Sequence, residues 1–586
     1  LNGLVVVWGE SQDPRTRMVQ FILRSIGFSY VLYFFVLFVP FLPLSILAIL
    51  AFGLGFLLLA PVLLFIVQGM QLVHDIRFLR EQRSLPALLG TMLLSALLIP
   101  GIITGVYLQQ RSALHTALAQ VFDADPEAKP ERVNADALQS VLTNVRGNKE
   151  RRGWARDHMP FITPWFNKVV MDNLMLSDAK LKTLDRIYLG EDPDTLQAPI
   201  WRPRAQLATV TLDSASARPY FDESQRVWRT WVDLQMTNPE RFQNEYRATF
   251  NLPAGAWISD QYLMIEGEEV KGVLAERKAA TWIYQQIRDV RRDPSLTRYV
   301  APGVIELRVF PLEVGQTRHA GFEVLHKEPF ALTIESCTVQ LGDYSHGTTA
   351  TATTSEDGRV AYIPAAVKRK LSVVQRPPQI HIIVDASEAG REERSHVLAA
   401  IDLFIRDHQV DPATVTLHIT DSYSSSLPWS EDSKKEYLEH TGEGGFFSDR
   451  PIRRVLTEAG RHPGKERPVI VIAPTNYNDG EKSLGVWLDD LGELAFCLPE
   501  APEFFMIQGG TLSARNFNAP FNDLEGKPLP TASRPSYAWP NAREPQAYLP
   551  VNDAPTIALL KSGSINTDSL KIRDWMDALH LEGRWR

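Results

Sequence analysis

Residues 25–73 read SIGFSYVLYFFVLFVPFLPLSILAILAFGLGFLLLAPVLLFIVQGMQLV, without one Asp, Glu, Lys or Arg. A helix needs about 20 apolar residues to cross the hydrocarbon core of a bilayer, so this run is long enough for two crossings. Pro40 and Pro43 supply a place to turn, because proline ends or kinks a helix and disfavours helix before it. A third uncharged segment, residues 85–108, carries Pro86, Pro100 and Gly101, which membrane helices tolerate better than soluble ones. The expectation is a membrane domain over residues 1–110 with three spans at about 19–40, 43–70 and 85–108. A signal peptide is excluded, because the run is too long and no A-x-A-like site closely follows it. The apolar residues 4–8 read equally as the end of an earlier span or as a short tail.

The mean hydropathy of the 586-residue chain is −0.14, because a long polar part dilutes the apolar one. Residues 1–110 hold Arg15, Arg17, Arg24, Arg77, Arg80 and Arg83 against Glu10, Asp13, Asp75 and Glu81, a net of +2. The whole chain is −8, so residues 111–586 carry −10, which argues against a nucleic-acid partner. Arg15, Arg17 and Arg24 precede the uncharged run, Arg77, Arg80 and Arg83 lie within the 74–84 loop, and the turn between the first two spans has none. The positive-inside rule then places the N-terminus in the cytoplasm, and three spans send residues 111–586 to the extracytoplasmic side of an inner or plasma membrane.

Residues 111–200 space their apolar side chains three or four apart over 112–122, 135–145 and 172–189, a helical linker segment. Trp154, Phe161, Trp165 and Phe166 there suit either a membrane interface or packing against the next domain, with packing preferred. From residue 205 the period becomes two. Segments 206–212, 226–236, 244–252, 262–266, 304–309 and 319–325 read as strands, with one helix over 274–289. That is a β-sandwich over residues 201–340. A third style follows over 375–510. Short apolar strands at 380–384, 415–419, 469–473 and 504–508 alternate with helices at 396–407 and 452–459, which implies a doubly wound α/β sheet. Residues 511–586 read as a loop-rich extension with room for a few edge strands, ending in a helix over 568–580. The fold class is therefore multi-domain: transmembrane α-helices, a helical segment, a β-sandwich and an α/β domain.

Within the sandwich, Asn244-Glu245-Tyr246, Phe250-Asn251-Leu252-Pro253-Ala254-Gly255-Ala256, Gly272-Val273-Leu274-Ala275-Glu276-Arg277-Lys278-Ala279-Ala280, Tyr284, Phe310-Pro311 and Arg318 occur in an order that resembles a VIT domain. That module stands at the front of inter-α-trypsin inhibitor heavy chains. The resemblance implies scaffolding, not catalysis.

The next block is similar to a von Willebrand factor A domain. That resemblance implies a metal above the sheet, held by a D-x-S-x-S loop, a Thr in a G-G-T loop and an Asp after the fourth strand. This chain keeps Asp385 and Ser387, but has Ala389 at the second serine, Phe446 after Gly444-Gly445, and Pro474-Thr475-Asn476 where the acid belongs. Two ligands beside a phenylalanine make a poor site for a divalent cation. The structural alternative for Asp385 is a residue that caps the loop and the helix after it. Asp385 and Ser387 are the only metal-site candidates, and no cofactor is expected.

Signatures of hydrolases, zinc enzymes and phosphate-binding loops are absent from the sequence. His381 and His418 read as satisfied buried histidines, and Asp421-Ser422 as a polar loop. Cys337 and Cys497 form neither a disulfide framework nor a metal cluster; whether they pair stays open. The order of spans, VIT-like and A-like blocks resembles bacterial integral membrane proteins that accompany exosortase and PEP-CTERM surface sorting. The expected function is a membrane-anchored, non-enzymatic envelope protein whose two domains bind a protein or polymer partner. The alternatives are a metal-dependent adhesion module on Asp385 and Ser387, and an envelope hydrolase acting through Asp421 or His418.

Overall fold

Asp13 starts the first helix. Its carboxylate accepts the Thr16 amide at 3.0 Å and the Thr16 hydroxyl at 2.8 Å, and Pro14 occupies a position whose N–H would be unpaired anyway. Helix α1 (Pro14–Phe38) therefore begins five residues before the expected span, and runs into a short 3-10 turn, Val39–Phe41, at Pro40. Helix α2 (Phe56–Leu79) contains Pro61 and ends nine residues later than expected. The two lie side by side, with Phe65 stacked on Phe35 at 4.0 Å and on Phe28 at 5.5 Å. Both are long and apolar enough to cross a membrane.

The computed structural model describes residues 11–43, 56–123, 130–150, 162–190, 210–475, 503–508, 511–515 and 531–560, apart from 225, 276, 290–292, 302, 347–350, 355–359 and 462–465. The chain divides into two compact units, residues 1–124 with 131–185, and residues 125–130 with 186–586.

The third apolar segment is not one straight helix. α3 (Leu85–Ala96) and α4 (Leu98–Leu118) meet at a 42° bend, a broken span or a re-entrant pair. Pro100 has no N–H to give the Ala96 carbonyl, which accounts for a break at this point. α4 also runs past residue 110, so the boundary drawn there falls inside a continuous helix. Helices α5 (Ala135–Glu150) and α6 (Ile162–Val169) pack on α4. Phe166 is buried edge-on against Tyr107 at 5.4 Å, while Trp165 stays 44% exposed; Trp154 and Phe161 lie outside the described residues. The helix expected at 172–189 starts only at α7 (Asp178–Leu184). Asp172 and Asn173 hold positive φ, and Ser177 caps the new start by accepting the Lys180 amide.

The second unit opens with the sandwich. Its strands are β1 (Thr211–Asp222), β2 (Val227–Thr237), β3 (Asn244–Asn251), β4 (Ala256–Ile265), β5 (Glu268–Lys271), β6 (Ser295–Ala301), β7 (Val304–Leu312), β8 (Thr317–His326), β9 (Phe330–Ile334) and β10 (Cys337–Leu341). They form sheets ordered β1-β2-β8-β4-β5, β3-β7-β6 and β10-β9. Alternate residues, Val232, Leu234 and Met236 on β2 with Tyr246, Ala248 and Phe250 on β3, fill one core between sheets. Helix α8 (Arg277–Asp289) lies between β5 and β6 in the chain. Cys337 is half-buried against this core, and Cys497 lies outside the described residues.

A small module follows, with β11 (Thr353–Thr354), β12 (Val360–Ile363), α9 (Ala365–Lys368) and β13 (Ser372–Arg376). Next comes a six-stranded sheet of β14 (Pro378–Asp385), β15 (Val415–Thr420), β16 (Ser424–Pro428), β17 (Arg467–Ala473), β18 (Glu503–Gln508) and β19 (Thr511–Arg515). The order is β16-β15-β14-β17-β18-β19; the four central strands are parallel and the edges antiparallel. Helices α10 (Arg394–Asp407) and α11 (Glu431–Glu439) supply side chains to one core with Ile380, Ile382 and Val384. Helix α12 (Asp449–Arg461) packs on β17. Described parts of the extension add strands to the small module: β20 (Arg534–Trp539) pairs onto β13, β21 (Ala547–Pro550) onto β20, and β22 (Thr556–Leu559) onto β12. Residues 568–580 lie outside the described residues.

Candidate functional site

Across the parallel strands the order is β15-β14-β17-β18, so the chain reverses its winding between β14 and β17. Ligands of open α/β sheets bind beyond the carboxyl ends of the strands at such a switch point. Asp385, the last residue of β14, and Thr475, two residues past β17, face each other across it. The Thr475 hydroxyl donates to Asp385 Oδ2 at 2.5 Å, the Ser387 amide donates to Oδ1 at 2.9 Å, and the Tyr437 hydroxyl donates to the Asp385 carbonyl at 3.0 Å. Arg394, 1% exposed at the start of α10, donates to the carbonyls of Ala386, Ser387 and His440 at 2.5, 3.0 and 2.5 Å. Asp385 and Ser387 are thus brought together, but through the Ser387 backbone and within a loop braced by protein donors. Phe446 is buried, and Asn476 lies outside the described residues. Among the described residues, no three His, Cys, Asp or Glu side chains group as a metal site.

Asp421, beyond the end of β15, is fully engaged. Oδ1 accepts the Tyr423 amide at 2.7 Å; Oδ2 accepts the Glu443 amide at 2.9 Å and lies 3.0 Å from His440 Nε2. The Ser422 hydroxyl donates to the carbonyls of Ile187 and Glu443 at 2.5 and 2.8 Å. The Gly445 amide donates to the same Ile187 carbonyl at 2.9 Å. Gly444 and Gly445 allow this approach, since a Cβ would lie 2.4 Å from the Ile187 oxygen at the first and 2.1 Å from the Arg186 oxygen at the second. Ile187 and Tyr188 are buried there, and burial pushes the Tyr188 hydroxyl well above the usual phenol range. The rim of the sheet therefore holds residues 186–190 in place. His440 carried no periodic or motif signal, and Thr475 drew notice only as part of the segment that stands where the motif has an acid.

His381 and His418 sit on neighbouring central strands. His381 Nδ1 lies 3.1 Å from His418 Nε2, and His418 Nδ1 lies 2.8 Å from the Ser426 hydroxyl. Burial pushes His381 down to about 4. Burial, then the charges of His381 and Arg454, push His418 down to about 3. Both are neutral near pH 7 and bonded into a chain, a packed polar element rather than an exposed base.

In the first unit the charge expected only to mark topology is buried. Arg24 donates to Asp75 Oδ1 and Oδ2 at 2.8 and 2.7 Å, and Arg17 Nε lies 2.6 Å from Asp75 Oδ1, all three side chains at most 3% exposed. Gln68 donates to the Arg24 carbonyl at 3.1 Å. Ionisable groups inside membrane segments are costly and are kept by pairing within the bundle. This triad ties α1 to α2.

On the sandwich, the polar faces of β3, β7 and β6 carry a network beneath α8. Arg308 forks onto Glu245 at 2.7 and 2.9 Å, the Tyr284 hydroxyl donates to Glu245 at 2.5 Å, and Glu306 receives Arg298 at 2.6 Å and Arg247 as well. Burial works to raise the Glu306 carboxyl, but Arg298 and Arg247 outweigh it and hold it below the usual range.

Residues 223–323 match the family model of the Vault protein inter-alpha-trypsin domain, VIT. The chain therefore carries a VIT domain running from β2 through most of β8, with α8 and the ion network inside it. No curated protein matches the chain.

Proposed function

We propose that this chain is a membrane-anchored, non-enzymatic protein that displays its VIT and α/β domains on the extracytoplasmic side to bind a protein or polymer partner. The observation that carries this reading is the joining, in one chain, of two helices able to cross a membrane with a VIT domain, an arrangement that fits a membrane-anchored interaction module. The α/β layer supports it in two ways. Its strand order and the Asp385-x-Ser387 part of its first loop resemble a von Willebrand A-like domain, which is part of this proposal. The polar groups at its switch point bond to one another, which suits a binding scaffold better than a reaction centre. A place beside an exosortase-type surface sorting system belongs to the same proposal and rests on the order of the domains. The metal-dependent adhesion alternative requires a cation to share the Asp385 carboxylate with the Thr475 hydroxyl. Photo-crosslinking from exposed VIT and α/β positions, in the full chain in native membranes, tests the reading. A discrete adduct at a subset of positions supports it; no adduct from any surface overturns it.

A further inference from the structure

Helix α6 runs beside α4 in the opposite direction, and three contacts fix their relative level. The Trp165 indole N–H donates to the Thr104 hydroxyl at 3.4 Å, and Phe166 meets Tyr107 edge-on at 5.4 Å. Arg111 donates to the Val169 carbonyl at 3.0 Å and to Asp172 at 3.1 Å. Thr104 and Tyr107 belong to the uncharged residues 85–108, and Arg111 is the first charge after them. Arg111 and Asp172 therefore mark a polar level, and the first residues of α6 lie below it, beside the apolar part of α4. At about 1.5 Å per residue, Thr104 is about 10 Å below Arg111 along the helix. Phe166 is buried there, but Trp165 is 44% exposed, close to the level of Ile102 and Val106, which are 60% and 46% exposed.

We propose that α6 is an interfacial helix, which seats Trp165 among lipids at the boundary between headgroups and acyl chains, in the leaflet where α4 leaves the bilayer. Each interfacial zone is about 5–8 Å thick, so a depth of about 10 Å reaches that boundary. Trp suits it because the ring is apolar while the N–H still needs a polar partner, and the Thr104 hydroxyl supplies one without water. The bond to Thr104 also argues for lipid as the cover. It places the exposed ring against the segment that itself crosses the membrane, in continuity with the lipid-facing Ile102 and Val106. No headgroup charge is selected, because Arg111 and Asp172 at the polar level pair with each other. The proposal takes α3 and α4 as one broken span and rests on the membrane-anchored reading above.

The test uses the full chain with Cys337→Ala and Cys497→Ala, carrying one nitroxide label at Trp165→Cys, at the exposed neighbour Pro164→Cys or, as a control, at the exposed Ser345→Cys. Pro164→Cys keeps the Trp165 ring in place, and its result decides where the two differ. Each protein is reconstituted in phosphatidylcholine vesicles. Relaxation of the label is read with oxygen, which concentrates among acyl chains, and with a nickel chelate, which stays in water. The expected oxygen-to-nickel ratio is several-fold higher at 164 and 165 than at 345, and unchanged by added phosphatidylglycerol. A ratio equal to that at 345, in protein that resists carbonate extraction, overturns the proposal and leaves the anchored reading standing. Weak relaxation by both reagents at 164 overturns it in favour of a protein cover. Extraction of the chain by carbonate overturns both.

Discussion

The Thr475 hydroxyl donates to Asp385 Oδ2 at 2.5 Å across the point where the α/β sheet reverses its winding. This bond uses one of the acceptor sites of the carboxylate that a cation would share. Thr475→Val removes the donor and leaves a buried carboxylate oxygen unmet, at a cost of about 1–3 kcal/mol. A lower thermal midpoint of the full chain in detergent is the expected reading. Magnesium or calcium leaves the wild-type midpoint unchanged. A cation-dependent rise that disappears in Asp385→Ala would instead establish the adhesion alternative.

Asp75 pairs with two arginines between α1 and α2. Asp75→Ala strands both, and breaking a buried pair in this way costs about 3–5 kcal/mol. The variant is expected to lose folded, detergent-extractable protein. Arg17→Ala, which leaves the Arg24 fork in place, is expected to be milder.

The histidine chain predicts an acid-sensitive α/β domain. Both folded-state values lie below the ordinary 6.5, so between about pH 6.5 and 4 the unfolded chain binds protons that the folded one refuses. Stability therefore falls as the pH drops through that window, by up to about 1.4 kcal/mol per pH unit for each histidine. Urea midpoints across the window measure the slope, and His381→Phe is expected to make it shallower. A flat profile would show that the pair does not titrate on unfolding.

Residues 186–190 are held by Gly444 and Gly445. Gly444→Ala adds a Cβ where φ is +67° and the Ile187 oxygen is 2.4 Å away. The expected effect is faster protease cleavage near residue 190, with cleavage within the VIT domain unchanged.

Much of this architecture is legible in the sequence, and the reasons are local. Strands such as β2 and β8 announce themselves by alternation, and α8 by its amphipathic spacing. Three features depend on distant partners and leave no periodic trace. Thr475 acquires its role only when β17 is laid beside β14. Strands β20 and β22 pair with β13 and β12 far back in the chain, so composition alone suggests loops and a few edge strands without fixing where they lie. Arg17 and Arg24 read as topology markers, because nothing local shows that Asp75 lies beside them. The Asp385 loop shows the opposite case: its sequence resembles part of a metal-binding motif, while its surroundings use the same residues as a brace.

Display of the VIT and α/β domains outside the cytoplasm is the claim on which the binding account stands. Accessibility of single cysteines to a membrane-impermeant thiol reagent tests it most directly, in intact cells making the full chain without its native cysteines. The account predicts that Ser345→Cys is labelled in intact cells and that Gln82→Cys, in the arginine-rich loop, is labelled only after lysis. The reverse pattern would contradict it.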